Sequence, residues 1–235
     1  MSDTRQNQPL LDTALIVLAR EPAPGRVKSR LARDVSEDRA AALYRAFILD
    51  TLELCEGAAA GSRWIAHTPD EAGGIFAALS GPGWGLIPQG DGDLGDRLRR
   101  LFDQLFQHPY RRIIALGSDA PTLPSGIVKD AFRALEEKDV VVGPSLDGGY
   151  YLIGLSRPAP ALLEGISWGT DAVLSQTVDR IERAGLSLAM LPPWYDVDTI
   201  IELNLLKAQL EGLRLSGETQ LPRHTYALLQ GMEMI

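Results

Sequence analysis

Ala14-Leu15-Ile16-Val17-Leu18-Ala19 is an unbroken apolar run. It passes directly into Arg20-Glu21-Pro22-Ala23-Pro24-Gly25-Arg26-Val27-Lys28-Ser29-Arg30-Leu31, a basic segment built on a Pro-Gly turn. The apolar run reads as a strand and the segment after it as a loop. Residues 36–56 then show helical period, with Ser36 as N-cap before Glu37 and Asp38, and Gly57 as the closing C′ glycine. The same alternation continues along the chain. Further strands are predicted at 63–67, 85–88, 112–116, 140–143, 150–155 and 186–191, and helices at 71–79, 94–107, 125–137, 171–184 and 199–211. The helix at 94 is the clearest, since Leu94, Leu98, Leu101, Phe102 and Leu105 form one stripe. Strands alternating with helices mean an α/β layered fold with a mostly parallel central sheet and helices on both faces. Such sheets bind ligands beyond the carboxyl ends of their strands, so the loops there carry the functional reading.

At 235 residues the chain suits one large domain with a substantial core. Its net charge of −8 argues against a general nucleic-acid or acidic-membrane binder, which needs a positive field. The single cysteine, Cys55, excludes an intrachain disulfide framework and suits a reducing cytoplasm. It shares a helix face with Leu43, Phe47, Ile48 and Leu52, which makes it a packing residue. No apolar run reaches transmembrane length, and residues 1–12 are polar without the layout of a signal peptide. The expectation is a cytoplasmic protein with a frayed tail over 1–12, one domain over 13–212, and an extension over 213–235 that carries a short helix.

Four loops hold the chemistry. The first offers Arg20, Arg26, Lys28 and Arg30 around Gly25. Such a loop is either a solvated basic turn or a polyphosphate cradle, and its place after the first strand favours the cradle. It has neither a Walker ending nor a dinucleotide-binding glycine pattern. The second, Gly117-Ser118-Asp119-Ala120-Pro121, puts a carboxylate at a strand's carboxyl end. Asp119 suits Mg²⁺ or Mn²⁺; capping the next helix is the alternative, although Ser125 is better placed for that. The third, Tyr195-Asp196-Val197-Asp198-Thr199, leads into a helix capped by Thr199. Asp198 is a candidate second metal ligand, and Asp196 faces the other way in an extended segment, unless both are ordinary pre-helix acids. The fourth, Gly90-Asp91-Gly92-Asp93-Leu94-Gly95, edges a base or ribose, or is a plain loop.

Asp147-Gly148-Gly149-Tyr150-Tyr151-Leu152 fits neither a core nor a generic turn. Its glycines permit close backbone approach to a ligand and its aromatics can wall a pocket. Trp168 either stacks on a bound base, sugar or acceptor or packs in the core. His67, His108 and His224 show no metal spacing and no partnered nucleophile, which disfavours a Ser/Cys-His hydrolase.

Pro22–Leu31, Gly117–Pro121, Gly143–Leu152 and Asp196–Thr199 together resemble the radical-SAM/selenodomain-associated transferase family, which is related to arsenosugar-biosynthesis glycosyltransferases. The resemblance runs from about residue 14 to 210, and the layout is also similar to 2-phospholactate and molybdenum-cofactor guanylyltransferases. It implies a single-domain GT-A fold over 13–212. Arg26, Lys28 and Arg30 would hold phosphates, with Arg20, Gly25, Gly92, Leu94 and Gly95 completing the nucleotide site. Asp119 and Asp198 would hold Mg²⁺ or Mn²⁺. Asp147, Gly148, Gly149, Tyr150 and Trp168 would face the acceptor, with Asp147 as general base or acceptor-orienting group and Lys28 as catalytic cation. Three positions depart from the family pattern: Arg20 for Lys, Ser29 for Thr and Glu202 for Asp.

The expected activity is glycosyl transfer from a nucleotide-diphospho-sugar to a small-molecule acceptor. Nucleotidyl transfer from a nucleoside triphosphate to a phosphorylated acceptor is the alternative, and a non-catalytic nucleotide-binding regulator a further one. Positioning and charge neutralisation would drive either reaction. The count of cations favours the triphosphate, and the family resemblance favours the sugar donor.

Overall fold

The computed structural model describes residues 10–58 and 60–234. Seven strands form one sheet among the described residues: β1 (Leu10–Arg20), β2 (Ala60–Thr68), β3 (Gly85–Pro88), β4 (Arg112–Gly117), β5 (Val140–Pro144), β6 (Tyr150–Leu155) and β7 (Leu188–Met190). Their order is β3-β2-β1-β4-β6-β5-β7. Every pairing is parallel except those of β6, which runs antiparallel to β4 and β5. The helices are α1 (Ser29–Val35), α2 (Glu37–Glu56), α3 (Gly73–Ser80), α4 (Leu94–Phe106), α5 (Ile127–Ala134), α6 (Val173–Arg183), α7 (Ile200–Leu215) and α8 (Arg223–Gly231).

The two-residue period of β1 divides the core. Leu15, Val17 and Ala19 join a cluster built with α1, α2, α5, α7 and α8, while Ala14 and Ile16 join one built with α4 and α6. An α/β domain with helices on both faces of a mostly parallel sheet is the expected class.

All seven predicted strands are present, β3 and β6 with the predicted ends and the other five with shifted ends. β1 starts at Leu10, inside the stretch read as a tail, and Asp12 pairs with Arg112 at 2.8 Å; residues 1–9 lie outside the described residues. The segment from Ser29 was read as loop but forms α1, whose buried residues are Leu31 and Val35, too few for a visible stripe. Ser36 does cap α2, accepting from the Arg39 N–H. Gly57 closes α2 with φ −71°, so the left-handed closure expected of it is absent. Ser125 does not cap α5: that helix starts two residues later, and the Ser125 hydroxyl donates to Gln220 instead.

Two topological facts place the site. β1 lies between β2 and β4, so the chain leaves it in opposite directions and opens a crevice beyond the carboxyl ends of β1 and β4. β6 is antiparallel, so its amino end lies at that same edge, with Leu152 opposite Leu116 and Tyr150 opposite Pro144. The 145–149 turn is thereby delivered beside the β1 and β4 loops. Away from this edge, α8 is latched onto α2, where both oxygens of buried Asp50 accept its first N–H groups, from His224 at 2.9 Å and Thr225 at 2.8 Å.

Candidate active site

The β1 and β4 loops are tied by a relay of hydrogen bonds. The Arg20 N–H donates to the Tyr44 hydroxyl at 3.0 Å, Tyr44 meets the Ser118 hydroxyl at 3.0 Å, and Ser118 donates to the Leu18 carbonyl at 2.9 Å. Burial pushes the Tyr44 phenol up to about 12, so it stays a neutral bridge. Nothing in the sequence marks Tyr44, which lies mid-helix in α2. The Val197 N–H donates to the Asp119 carbonyl at 2.9 Å and fixes the third loop against the second.

Lys28 is the centre of the site. It starts α1 from a left-handed backbone (φ 50°), an uncommon conformation for a residue with a Cβ, of the kind that concentrates at functional sites. Its ammonium lies over the rings of Tyr44 (5.4 Å) and Phe47 (6.0 Å). It pairs with Asp119 and, at 2.8 Å, with Asp198. Burial disfavours the ammonium, but the two carboxylates outweigh it and hold the Lys28 pKa above its ordinary value. Arg30 takes the other Asp198 oxygen at 2.6 Å. Burial would raise Asp198, yet Lys28 and Arg30 prevail and hold it below the usual carboxylate range.

Two of the expected phosphate cations and both expected metal carboxylates therefore meet at one point. Asp119 and Asp198 converge from separate loops, each about a third exposed (36% and 33%). That is a hard-oxygen donor set, and it fits Mg²⁺ or Mn²⁺. Arg26 is instead a surface cation near Glu21 (3.5 Å), beyond the turn for which Gly25 supplies φ +72°. Arg20 is exposed at the end of β1.

Asp198 owes its place to the start of α7. Thr199 caps the helix, and Glu202 closes a capping box by accepting from the Thr199 N–H (2.7 Å) and hydroxyl (2.6 Å). The Glu202 departure thus costs the helix start nothing. Thr199→Ala is expected to destabilise the fold by about 1 kcal/mol, measured by urea unfolding.

Asp196, set aside in the sequence reading, is the more perturbed acid. Its carboxylate accepts from the Ser145 hydroxyl at 2.6 Å. Burial, helped by the nearby Asp119 and Asp147 charges, outweighs Ser145 and Lys28 and raises its pKa to about 7. A native pKa above the unfolded value of 3.8 means that the folded state keeps a proton the unfolded chain has released. The Asp196 contribution to stability therefore declines as pH rises from 3.8 to about 7. Asp196→Asn should gain melting temperature relative to the wild type between pH 5 and pH 8; an unchanged gap would show that Asp196 does not titrate there.

The Asp147 hairpin differs from expectation in its details. Asp147 accepts from the Gly149 N–H at 2.9 Å, bracing its own turn. Gly148 (φ +90°) allows close approach of protein backbone, not of ligand: a Cβ there would lie 2.4 Å from the Asp171 carbonyl. Tyr150 turns inward, its phenol raised by burial and set against Thr177, and meets Trp168 edge-on at 6.2 Å. Trp168 packs into the space left by Gly95, where a Cβ would come within 2.4 Å of its Nε1. Gly95 thus has a packing role. Gly92 (φ +97°) turns a loop held by Arg97 and Arg100, while Leu94 is partly exposed (41%). The side chain of Gln89 ties this loop to β1 and β2 through the Ala19 and Ala66 carbonyls.

Asp50, Glu53 and His224 also cluster, with ligand atoms within 4.8 Å of one another. Both Asp50 oxygens already hold α8, and Glu53 pairs with Arg223 and, at 2.8 Å, with His224. This trio is a latch.

Three comparisons bear on the site. A Desulfovibrio desulfuricans G20 protein, provisionally described as a nucleotide-diphospho-sugar transferase, superposes with TM-score 0.82 at 34% identity, covering 94% of this chain and 97% of its own. A 3-phospho-D-glycerate guanylyltransferase from Phenylobacterium zucineum (strain HLK1) is 34% identical over 137 residues, 57% of this chain and 62% of that enzyme. The chain thus matches somewhat less than two thirds of that relative's length. Glucosyl-3-phosphoglycerate synthase from Mycobacterium tuberculosis, solved with Mn²⁺, UDP and glucosyl-3-phosphoglycerate, shares the fold at TM-score 0.50 and 12% identity over 89% of this chain and 80% of its own. The first two are named as nucleotide-using transferases, and the third shows the fold alone. Residues 51–170 match the model of the family described as "Uncharacterized protein conserved in bacteria (DUF2064)", and the chain belongs to that family.

Proposed function

We propose that the chain is a divalent-metal-dependent nucleotidyltransferase of the cytoplasm. An oxygen of a phosphorylated small-molecule acceptor attacks the α-phosphorus of a nucleoside triphosphate. The bond from that phosphorus to the β-bridging oxygen breaks, and pyrophosphate leaves. The observation that carries this reading is the convergence of Lys28 and Arg30 on Asp119 and Asp198 at the crevice between β1 and β4, with Arg20 and Arg26 exposed on the flanking loop. Three phosphates call for this many cations more than two do.

Lys28 and Arg30 bind the phosphates and orient the α-phosphorus. Asp119 and Asp198 would hold Mg²⁺ or Mn²⁺, which would supply charge neutralisation to the bound phosphates. The 145–149 turn and the start of α7 form the acceptor side. The guanylyltransferase relative supports this reading and points to GTP as donor. Glycosyl transfer from a nucleotide-diphospho-sugar is the second reading, favoured by the likeness to the Desulfovibrio protein; kinship with the radical-SAM-associated transferases belongs with it and rests on the four motifs.

The deciding experiment incubates the full chain with Mg²⁺, each nucleoside triphosphate and a panel of phosphorylated small-molecule acceptors, 3-phospho-D-glycerate and n-alkyl phosphates among them, and measures pyrophosphate. A parallel arm offers nucleotide sugars and measures nucleoside diphosphate. Pyrophosphate that depends on both donor and acceptor is the expected result. Nucleoside diphosphate from the sugar arm, with no pyrophosphate from the first, would replace this reading with the second.

A further inference from the structure

Large apolar side chains stand exposed at eight described positions, and three of them, Leu146 (70%), Ile201 (73%) and Leu205 (49%), line a single cleft of about 220 Å³. Asp196, Asp198 and Arg30 line the same cleft, so it opens from the carboxylate site. Ile201 and Leu205 are one helical turn apart on α7. The buried residues of α7 are Leu203, Leu206 and Leu210, so the fold has no need of an apolar outer stripe. Across the cleft, Leu146 is held out by the hairpin turn, whose ends are joined by the Ser145 N–H to Gly149 carbonyl bond at 3.1 Å.

The carboxylates here are already engaged. Asp147 braces its own turn, Asp196 takes Ser145, Asp198 takes Lys28 and Arg30, and Glu202 closes the α7 cap. What the cleft offers an incoming molecule is therefore apolar surface at one end and, at the other, the exposed Arg30 guanidinium, which is held by Asp198 through one of its nitrogens. The volume is below that of a pocket for a whole drug-sized ligand, so it suits one portion of an acceptor.

We infer that this cleft is an acceptor subsite for an amphiphilic molecule, with an anionic phosphate-type head at the Arg30 end and a hydrocarbon segment between Leu146 and the outer face of α7. The inference rests on the transferase reading and deepens it. A wholly polar acceptor would leave Leu146, Ile201 and Leu205 in water and gain nothing from them.

The test is calorimetric binding of the n-alkyl phosphates, methyl to pentyl, to the full chain with Mg²⁺. Affinity should rise about twofold to fourfold per methylene, the scale of a partly to fully buried CH₂. In a Leu146→Ser, Ile201→Ser double variant, altered only at exposed positions, the dependence on chain length should vanish. Arg30→Ala should weaken every member of the series alike and leave that dependence intact. No binding by any member, a flat series in the wild type, or an unchanged slope in the double variant overturns the inference. So does a change of oligomeric state in the double variant, which would assign the face to a second copy of the chain. Pyrophosphate release from 3-phospho-D-glycerate together with a flat series would sink the subsite alone. A sloped series with neither pyrophosphate nor nucleoside diphosphate released would sink the reaction instead.

Discussion

Lys28→Ala is expected to lower turnover by about 10²–10³-fold, the scale of losing one preorganised charge-stabilising donor. It should also destabilise the fold. With the ammonium gone, Asp119 and Asp198 face each other without their shared partner. A fully buried pair broken in this way costs about 3–5 kcal/mol; with each carboxylate about a third exposed, about 1–3 kcal/mol is the expected loss. Its pH window follows from the two shifts. Asp198 is held below its unfolded value of 3.8, so its share is present above that pH and is lost as pH falls through the native pKa. Lys28 is held above 10.5, so its share is present below that pH and is lost as pH rises through the native pKa. Wild type and variant should therefore differ fully between about pH 4 and pH 10 and converge in acid. Urea unfolding at pH 3, 7 and 9 checks this. Added Mn²⁺ should restore more stability to the variant than to the wild type, since Asp119 has lost its cation and Asp198 keeps only Arg30. An equal response to Mn²⁺ in both proteins would refute the shared carboxylate site.

Gly148→Ala carries the second large effect. Its φ of +90° disfavours any side chain, and a Cβ would lie 2.4 Å from the carbonyl oxygen and 2.5 Å from the Cα of Asp171. These are backbone atoms, which cannot swing away as a side-chain tip can. Strain and overpacking together are expected to cost about 2–5 kcal/mol in urea unfolding. The Leu174 N–H to Gly148 carbonyl bond, 2.8 Å, would be disturbed as well. KM for the acceptor should rise while nucleotide affinity holds. Gly149→Ala is the control: its Cβ would meet only the Asp147 side chain, 3.2 Å away, and a loss as large as that of Gly148→Ala would show that the hairpin is not position-specific.

Strands were legible because apolar runs bounded by glycine and proline leave few other readings, and Asp119 was legible because it ends such a run. Direction was not. Nothing in Tyr150–Leu155 marks β6 as antiparallel, since its side chains alternate in the same way either way up. α1 hid in the basic loop because a seven-residue helix with two buried positions shows no period. Lys28 could be read as a cation, but its partner Asp198 is 170 residues away, and that pairing exists only once β1 and the start of α7 share an edge. The burial of Asp196 depends likewise on a hairpin 51 residues upstream. Gly95 and Gly148 were recognised as sites of close approach, but glycine alone does not say what approaches. Here it is Trp168 and Asp171.

The reversed direction of β6 separates two kinds of connection at the working edge of the sheet. The β1 and β4 loops lead into helices, so changing their length would drag a helix across the core. The 145–149 turn returns to its neighbouring strand and is closed by its own hydrogen bond, so the exposed side chain at Leu146 can be exchanged without disturbing sheet register, provided that Ser145 and Gly148 keep their contacts. On the proposed reading, substitution at Leu146 is thus a route to a new acceptor preference that leaves the β1 and β4 loops unaltered.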